Sequence, residues 1–253
     1  MERIVTTALG NHCIITEPDF GAVRRVVLGV HGLGGSARDQ IQENTAEEMA
    51  FFGYATVRTE CPGHGDSPIE ELTLAACQQA LLDGARCAMA EFPEVEGLCI
   101  FATGFGAYVT LSVLEELQEL SGDLRLVVHT PSVLMHQTLL SMINMSKQTF
   151  RMRDKIVLPL ERPLTLTYNF YKELEENIVL MPHDIPMLIL HGEQDDYIPM
   201  EHIQNFRRVN EKSKLVIIPG ASHRFLEEGV WDMVLDLTRD WFEFRQVLLT
   251  DWI

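Results

Sequence analysis

The ten residues FATGFGAYVT, Phe101–Thr110, decide the fold of this chain. They overlap the end of the short apolar run GLCIF, which is typical of a buried strand, and they lead into a segment with helical spacing of apolar residues. Small neighbours allow a strand and a helix to meet closely, and Gly104 is surrounded by Ala102, Gly106 and Ala107. The pattern predicts a strand that turns sharply at Gly104 and continues as a helix. A glycine-rich turn that only opens a helix has the same pattern.

Strands and helices alternate along the rest of the chain. Strands that are apolar on both faces indicate a mostly parallel sheet with helices on both sides, so the predicted fold class is α/β. Two early strands, near residues 3–8 and 12–16, are expected to form an antiparallel hairpin at the sheet edge. Besides GLCIF, the runs that predict strands are RRVVLGV, YATVRTE, LRLVVHT, PMLILHG and KLVIIPG.

Capping residues and apolar spacing predict four helices around this sheet. The first closes at Gly53, and the second runs from about Thr73 to Glu91. The third continues from the Gly104 turn, and the fourth lies near the end of the chain. The apolar faces are formed by Val113, Leu114, Leu117 and Leu120 in the third helix and by Val234, Leu237, Trp241 and Leu248 in the fourth.

The segment from Leu134 to His183 interrupts the alternation and is richer in Met and basic residues than the rest. It leaves from a strand end, where ligands bind in an α/β sheet, so we interpret residues 134–183 as a small cap insertion. Residues 1–133 and 184–253 then form the core domain. Within the cap, the alternation in IVLPLERPLTLTY indicates a hairpin.

Aromatic and basic side chains of the cap allow two interpretations each. Tyr168 and Phe170 are expected to bind substrate, although such a cluster can also be the core of the cap itself. The basic residues could steer an anionic substrate, or they could pair with acidic residues of the core domain. They are Lys147, Arg151, Arg153, Lys155 and Arg162.

The composition argues against several classes of protein. A net charge of −17 and a pI near 4.9 do not favour binding to nucleic acid or to an anionic membrane. No run reaches the roughly 18 to 20 apolar residues of a membrane span, and no secretory signal is visible. Five scattered cysteines favour a reducing cytoplasm.

No cofactor is expected. The histidines and cysteines show no metal-ligand spacing, and the glycines form no phosphate-binding pattern. We expect the binding partner to be a small-molecule substrate. The protein itself is expected to be a monomer or a homodimer.

Three further loops follow predicted strands. HGLGG, His31–Gly35, could present the Leu33 N–H as an oxyanion donor, or it could be a tight turn that needs glycine for its geometry. HGEQDDYIP supplies Asp195 and Asp196, and PGASHRF supplies His223. A carboxylate at a strand end can orient a histidine and stabilise its protonated form. Taken alone, the two later loops are more often structural, whereas the first fits either interpretation equally well.

Together the motifs resemble the α/β-hydrolase fold family, in particular serine esterases and lipases with a small cap. The resemblance covers nearly the whole chain and implies hydrolysis of a carboxylic ester or related acyl compound. In the family's order of nucleophile, acid and base, Gly104 stands at the nucleophile position, Asp195 rather than Asp196 is the acid, and His223 is the base. The similar motifs are VVLGVHGLGGS, CPGHGDS, FATGFGAYV, PMLILHGEQDDYIP and PGASHRF.

The resemblance also implies which groups surround the substrate. The backbone N–H groups of Leu33 and Phe105 would form an oxyanion hole. His31 and Gly32, in the same loop as Leu33, are expected to contact the substrate.

Gly104 has no side chain where the family carries its serine. Covalent acyl transfer needs an oxygen or sulfur nucleophile beside a base, so the usual pathway is closed in this chain. Neighbouring hydroxyl and thiol groups belong to Thr103, Ser222 and Cys61, and the sequence places none of them convincingly as a replacement. Glycine adopts the positive φ of such a turn freely and should not disturb the fold.

Three hypotheses follow for the function. The chain is an ester-hydrolase frame whose serine was lost by natural variation or by engineering, which leaves it inactive or strongly impaired. Alternatively, it is a non-catalytic protein that binds a small molecule under the cap. In the third hypothesis, His223, oriented by Asp195, activates a water in the space that the serine would occupy.

Overall fold

The computed structural model describes residues 1–247, so Leu248 and the end of the predicted core range 184–253 lie outside the described residues. Eight strands form one sheet, and a further pair forms a separate hairpin. The strands are β1 (Glu2–Thr6), β2 (His12–Thr16), β3 (Arg25–Val30), β4 (Tyr54–Thr59), β5 (Leu98–Thr103), β6 (Leu124–His129), β7 (Lys155–Leu158), β8 (Leu164–Thr167), β9 (Met187–Gly192) and β10 (Lys214–Ile218).

The order of strands in the large sheet is β1-β2-β4-β3-β5-β6-β9-β10. β1 pairs antiparallel with β2, and β2 with β4, whereas all other neighbours in this sheet are parallel. The mostly parallel sheet and its antiparallel edge hairpin are therefore confirmed. Parallel strands end at the same edge, so the loops after β3, β5, β6, β9 and β10 meet there.

Helices cover both faces of the sheet, because side chains alternate along each strand. In β5, Ile100 packs into the apolar cluster of the second and third helices, and Phe101 packs into the cluster of the last helix. No helix within residues 1–247 is long and apolar enough to cross a membrane. The described helices are α1 (Gln40–Phe51), α2 (Leu74–Glu91), α3 (Gly104–Ser112), α4 (Leu114–Leu120), α5 (Met135–Met142), α6 (Lys147–Arg153), α7 (Tyr168–Glu176), α8 (Met200–Val209) and α9 (Val230–Phe244).

The first two helices have the predicted ends. Gly53 follows α1 with a φ of +82°, a conformation that favours glycine. The Thr73 hydroxyl accepts a hydrogen bond from the Ala76 N–H at 3.1 Å and caps α2. These capping residues were readable from the sequence because their effect is local.

The predicted third helix is two helices, α3 and α4, so the prediction of a continuous helix is wrong at Val113. This residue has φ −129° and ψ 27°, outside the helical conformation. The Ser112 hydroxyl donates to the Val109 carbonyl at 2.7 Å, and a serine that bonds the preceding turn competes with helix continuation. Leu117 packs in the core from the second helix, as expected from its apolar spacing.

Residues 134–183 carry α5, α6, the β7–β8 hairpin and α7 between β6 and β9. The hairpin predicted in this segment is confirmed, since β7 and β8 pair antiparallel. Phe150 and Leu166 belong to the same apolar cluster as α2 and α3, so the insertion and the sheet domain share one core. The Tyr108 hydroxyl of α3 also donates to the Leu174 carbonyl of α7 at 3.2 Å.

Candidate active site

The junction between β5 and α3 is a sharp turn at Gly104. Its φ is +50°, in the left-handed region that glycine adopts without strain. A Cβ atom on Gly104 would lie 4.0 Å from both Gly32 Cα and Ser132 Oγ, so a side chain has room there. A Cβ on Gly106, by contrast, would lie 2.4 Å from the His31 carbonyl oxygen. The close approach of strand and helix therefore requires glycine at 106, whereas only the backbone conformation favours it at 104.

His223 and Asp195 meet at the carboxyl edge of the sheet, because they follow the neighbouring parallel strands β10 and β9. The Nδ1–H of His223 donates to Oδ2 of Asp195 at 2.8 Å. The Asp195 carboxylate is buried, and the imidazole is 26% exposed. With Nδ1 engaged in this way, Nε2 is the ring nitrogen that is available as a base. Asp196, the other acid considered in this loop, is exposed.

The second oxygen of the Asp195 carboxylate, Oδ1, accepts hydrogen bonds from the N–H groups of Tyr197 and Ile198, each at 2.9 Å. Burial alone would raise the pKa of Asp195, but His223 and these backbone donors lower that pKa below its ordinary value. Asp195 is therefore ionised at neutral pH. An ionised Asp195 holds His223 in one tautomer and stabilises the imidazolium that forms when Nε2 takes a proton.

Two backbone N–H groups border the Gly104 turn. Leu33 lies in the glycine loop after β3, and Phe105 is the second residue of α3. The first N–H groups of a helix have no partner within the helix, and the helix dipole favours a negative charge beside them. Leu33 and Phe105 line the same cavity as Gly104 and His223. Both residues therefore border the cavity beside the Gly104 turn.

His31 holds the glycine loop in place. It is buried, its Nδ1–H donates to the Gly32 carbonyl at 2.8 Å, and its Nε2 accepts from the Cys61 N–H at 3.0 Å. Gly32 lines the cavity, but His31 does not. The expectation that His31 contacts the substrate is therefore corrected, because both ring nitrogens are used inside the fold.

A cavity of about 360 Å³, here called the main cavity, opens beside Gly104. Its walls come from the loops after β3, β5, β6, β9 and β10 and from the insertion. The polar lining side chains include Thr130, Ser132, Thr138, Tyr197, His223 and Arg224. The apolar ones are Leu33, Ile41, Phe105, Met135, Met142, Leu158 and Leu160. His223, Leu33 and Phe105 thus face a space with mixed polar and apolar walls, as small-molecule sites have.

The same fold occurs in solved structures over almost the whole chain. Est1E from Butyrivibrio proteoclasticus, solved with ferulic acid bound, has a TM-score of 0.77 and 18% identity, covering 96% of this chain and 98% of its own. Alpha/beta hydrolase domain-containing protein 10 from mouse has a TM-score of 0.74 and 14% identity, covering 97% and 100%. XC6422 from Xanthomonas campestris, a serine hydrolase without a lid, has a TM-score of 0.65 and 18% identity, covering 95% and 94%.

The chain has the α/β-hydrolase fold. Neither a protein-family model nor a curated protein sequence matches it. At 14 to 18% identity, the structural neighbours establish the fold and leave the chemistry to be argued from the site itself.

Thr130 and Ser132, after β6 of this α/β-hydrolase fold, line the main cavity, and the sequence pattern does not single them out. Thr130 has a φ of +43°, a left-handed conformation that costs a β-branched residue roughly 1–3 kcal/mol. It precedes Pro131, and the residue before a proline prefers extended backbone. Its N–H donates to the Leu190 carbonyl at 2.8 Å. The Ser132 N–H donates to the Gly104 carbonyl at 3.2 Å. A strained loop therefore ties the end of β6 to the Gly104 turn.

A second cavity of about 340 Å³ adjoins the main cavity and has more charged walls, which include Arg38, Glu60 and Asp66. Leu160, at the tip of the β7–β8 hairpin, lines both cavities. Its Cδ1 packs so closely on Gly34 that a Cβ there would lie 2.8 Å away. Leu160 therefore forms part of the boundary between the two spaces.

Tyr168 and Phe170 do not line the main cavity of the α/β-hydrolase fold, so the expectation that they bind substrate is corrected. Phe170 is fully buried, and its ring packs edge-on against Phe105 with the centroids 5.8 Å apart. Tyr168 stacks on Tyr171 at 5.5 Å. The aromatic cluster is the core of the insertion, which was the alternative interpretation, and Phe170 supports Phe105 from behind.

The three residues considered as replacement nucleophiles are poorly placed. Thr103 borders the main cavity, but its hydroxyl donates to the Val30 carbonyl at 3.5 Å. Ser222 does not line the cavity, and its N–H donates to Glu227. Cys61 is buried in the apolar core.

Two basic residues of the insertion, Lys147 and Arg162, have structural contacts. Lys147 pairs with Glu175 of the insertion at 2.6 Å, not with the core domain. Arg162 binds a loop of the core domain through its Nη1, which donates to the carbonyl oxygens of His64, Gly65 and Ser67 at 3.1, 2.9 and 2.8 Å. Arg162 therefore holds the hairpin against the core domain through backbone carbonyls. This contact is neither of the two expected for the basic residues, which were steering of an anionic substrate and pairing with acidic side chains.

Proposed function

We propose that this protein is a carboxylic-ester hydrolase frame in which glycine replaces the nucleophilic serine. The observation that carries the proposal is the 2.8 Å hydrogen bond between His223 Nδ1 and the buried Asp195 carboxylate, beside a turn with a φ of +50° at Gly104. The buried carboxylate and the partly exposed imidazole lie at the edge of the main cavity, where the imidazole can reach a ligand. The same pair is what nucleophilic acyl transfer requires.

Each remaining part of the site has a role in this reaction. Nε2 of His223 is the base and later the acid, and the N–H groups of Leu33 and Phe105 stabilise the oxyanion. The insertion, residues 134–183, acts as a cap whose apolar side chains cover the acyl or leaving group. A small uncharged ester fits the size and the mixed lining of the main cavity.

Without a serine at 104, this chain lacks the group that usually accepts the acyl chain. Removing a triad member leaves roughly 10³–10⁴-fold catalysis over water, which comes from the oxyanion hole and from binding. The native chain should therefore hydrolyse esters far more slowly than a variant with a serine at this position.

A second candidate function is small-molecule binding without turnover. It is favoured by the combination of Gly104 with an intact main cavity, since binding needs the cavity and not the nucleophile. In a related hypothesis, His223 activates a water directly, and the glycine chain itself then turns over esters.

The test is hydrolysis of p-nitrophenyl acetate and butyrate by five proteins: the native chain, Gly104→Ser, Gly104→Ala, His223→Ala, and Gly104→Ser combined with His223→Ala. We expect Gly104→Ser to be at least about 100-fold faster than the native chain. Gly104→Ala is the matched control, because it adds the same Cβ without a hydroxyl. Adding His223→Ala should abolish the gain.

Each other outcome selects a different function. If Gly104→Ser gains nothing and its circular dichroism spectrum is native, the ester-hydrolase proposal is wrong, and binding without turnover is favoured. Native turnover that matches Gly104→Ser and disappears in His223→Ala would support the activated water.

A further inference from the structure

We propose that Ser132 accepts the acyl group in the native chain, so that the residual reaction proceeds through an acyl-Ser132 intermediate. This inference rests on the proposed function, because it uses the same base, the same oxyanion donors and the same class of substrate. It differs in the oxygen that attacks. The sequence gives no hint of it, since Ser132 lies outside the motifs of the resemblance.

The position of Ser132 carries the proposal. Its Oγ lies 4.0 Å from the point where residue 104 would carry a Cβ, and a serine at 104 would hold its own oxygen one bond beyond that Cβ. The two hydroxyl groups would therefore occupy the same end of the main cavity. Ser132 and His223 both line this cavity, whereas Ser222 does not. Glycine at 104 leaves the space between Ser132 and the glycine loop free for a substrate carbonyl.

The backbone fixes Ser132 in this position. Its N–H donates to the Gly104 carbonyl at 3.2 Å, so the loop after β6 moves with the turn that carries the oxyanion donor Phe105. Thr130, two residues earlier, is held at a φ of +43° before a proline. Strain of this kind persists where the surrounding structure enforces it, and it concentrates at functional sites. Ser132 itself is only 4% exposed, as suits a residue that reacts inside a cavity.

The proposed reaction conserves atoms and protons. The Ser132 Oγ attacks the ester carbonyl carbon and forms a C–O bond while its proton passes to His223 Nε2. The oxyanion is stabilised by the N–H groups of Leu33 and Phe105. When the intermediate collapses, the bond to the leaving alcohol breaks and the alcohol oxygen takes the proton from Nε2. Water then attacks the acyl carbon, gives its proton to Nε2, and the acid leaves as Ser132 recovers its proton.

The test is covalent labelling with an alkyl fluorophosphonate, followed by peptide mass spectrometry, on the native chain, Ser132→Ala, Ser222→Ala and Gly104→Ser. The activated serine oxygen displaces fluoride from the phosphorus of a fluorophosphonate and becomes a phosphonate ester, so the adduct marks the attacking residue. We expect the native chain to carry its adduct on Ser132. Ser132→Ala should carry no such adduct, and its residual rate of p-nitrophenyl butyrate hydrolysis should fall at least about 10-fold. Ser222→Ala should keep both the adduct and the rate.

The Gly104→Ser variant distinguishes the proposed ester-hydrolase function from the proposed role of Ser132. If Gly104→Ser is labelled at position 104 while the native chain carries no adduct on Ser132, the ester-hydrolase frame stands and the role of Ser132 is refuted. Residual hydrolysis that is unchanged in a folded Ser132→Ala variant also refutes it. If neither protein is labelled or active, the proposed function is refuted, and the role of Ser132 is refuted with it. Thermal unfolding of Ser132→Ala, compared with the native chain, shows whether a loss of reaction is a loss of fold.

Discussion

The imidazole of His223 and the carboxylate of Asp195 are joined by a 2.8 Å hydrogen bond across the ends of two parallel strands. The aspartate has a lowered pKa and two further hydrogen bonds from backbone N–H groups, which fix its orientation. In the function proposed here, this aspartate orients His223 as the base, and Gly104 stands where a serine would be deprotonated.

Replacing Asp195 should remove the activity that a serine at 104 confers. In the Gly104→Ser background, Asp195→Asn should lower kcat by about 10⁴-fold, because an amide no longer selects the required tautomer or stabilises the imidazolium. The neighbouring Asp196→Asn is the matched control and should leave kcat within a factor of about 2, since Asp196 is exposed. Steady-state kinetics with p-nitrophenyl butyrate measures both. Equal effects of the two substitutions would contradict the assignment of Asp195.

Substituting the two glycines of the turn should have different costs. Gly104→Ala should lower the free energy of unfolding by about 1–2 kcal/mol, because alanine is strained at a φ of +50° but has room for its Cβ. Gly106→Ala should cost about 3 kcal/mol or more, since its Cβ would collide with backbone carbonyl oxygens of residues 30 and 31. Urea denaturation measures both. If Gly104→Ala were the more damaging change, the turn would not have the geometry described.

The buried His129 should make the protein less stable in mild acid. Burial, together with the nearby charge of His223, lowers the pKa of His129 to about 3. Below about pH 6.5 the unfolded chain binds a proton on this residue that the folded protein refuses, so stability falls as the pH falls from about 6.5 towards 3. The slope is about 1.4 kcal/mol per pH unit, which gives about 2 kcal/mol between pH 7 and pH 5.

His129→Leu should remove this dependence. The ring packs on Phe225 with the centroids 4.1 Å apart, and neither ring nitrogen has a hydrogen-bond partner within residues 1–247. A leucine therefore leaves no polar group unpaired. Urea midpoints at pH 7 and pH 5 should differ less for the variant than for the native chain. Identical losses in the two proteins would show that other groups control the acid sensitivity.

Shortening Leu160 should widen the range of substrates. This side chain borders both the main and the second cavity, so Leu160→Ala should join them. In the Gly104→Ser background, we expect kcat/KM for a bulky aryl ester to rise about 10-fold relative to p-nitrophenyl acetate. Val157→Ala, on the same hairpin with a side chain 57% exposed, is the control and should keep the native ratio. A ratio unchanged in both variants would show that Leu160 does not separate the cavities.

Much of the fold could be predicted because its signals are local. Buried strands are runs of apolar residues, α2 begins at a capping threonine, and the order of loops along the chain follows from the order of the strands. The sharp turn at Gly104 could be predicted because small neighbours are a local steric requirement. The break between α3 and α4 was not predicted, because the apolar pattern continues through it. The Ser112 hydroxyl bonds the Val109 carbonyl and competes with continuation of the helix.

The roles of individual side chains were harder to predict, because they depend on contacts between distant parts of the chain. His31 was expected to contact substrate, but Cys61, thirty positions away, occupies one of its ring nitrogens. Phe170 was expected to line a pocket, but it packs behind Phe105 instead. Helical or strand spacing predicts which residues are buried. It does not predict whether a buried side chain lines a cavity or packs in the core.

By itself, the sequence predicted the α/β architecture and the sharp turn at Gly104, and it led us to propose Asp195 and His223 as acid and base. Periodicity, turn chemistry and motif order express these features within short stretches of chain. Only the tertiary structure decided that Ser132 lies beside Gly104 and that Leu160 borders two cavities. These relationships arise where loops from separate strands and the insertion converge, and no short stretch of sequence encodes how their side chains meet.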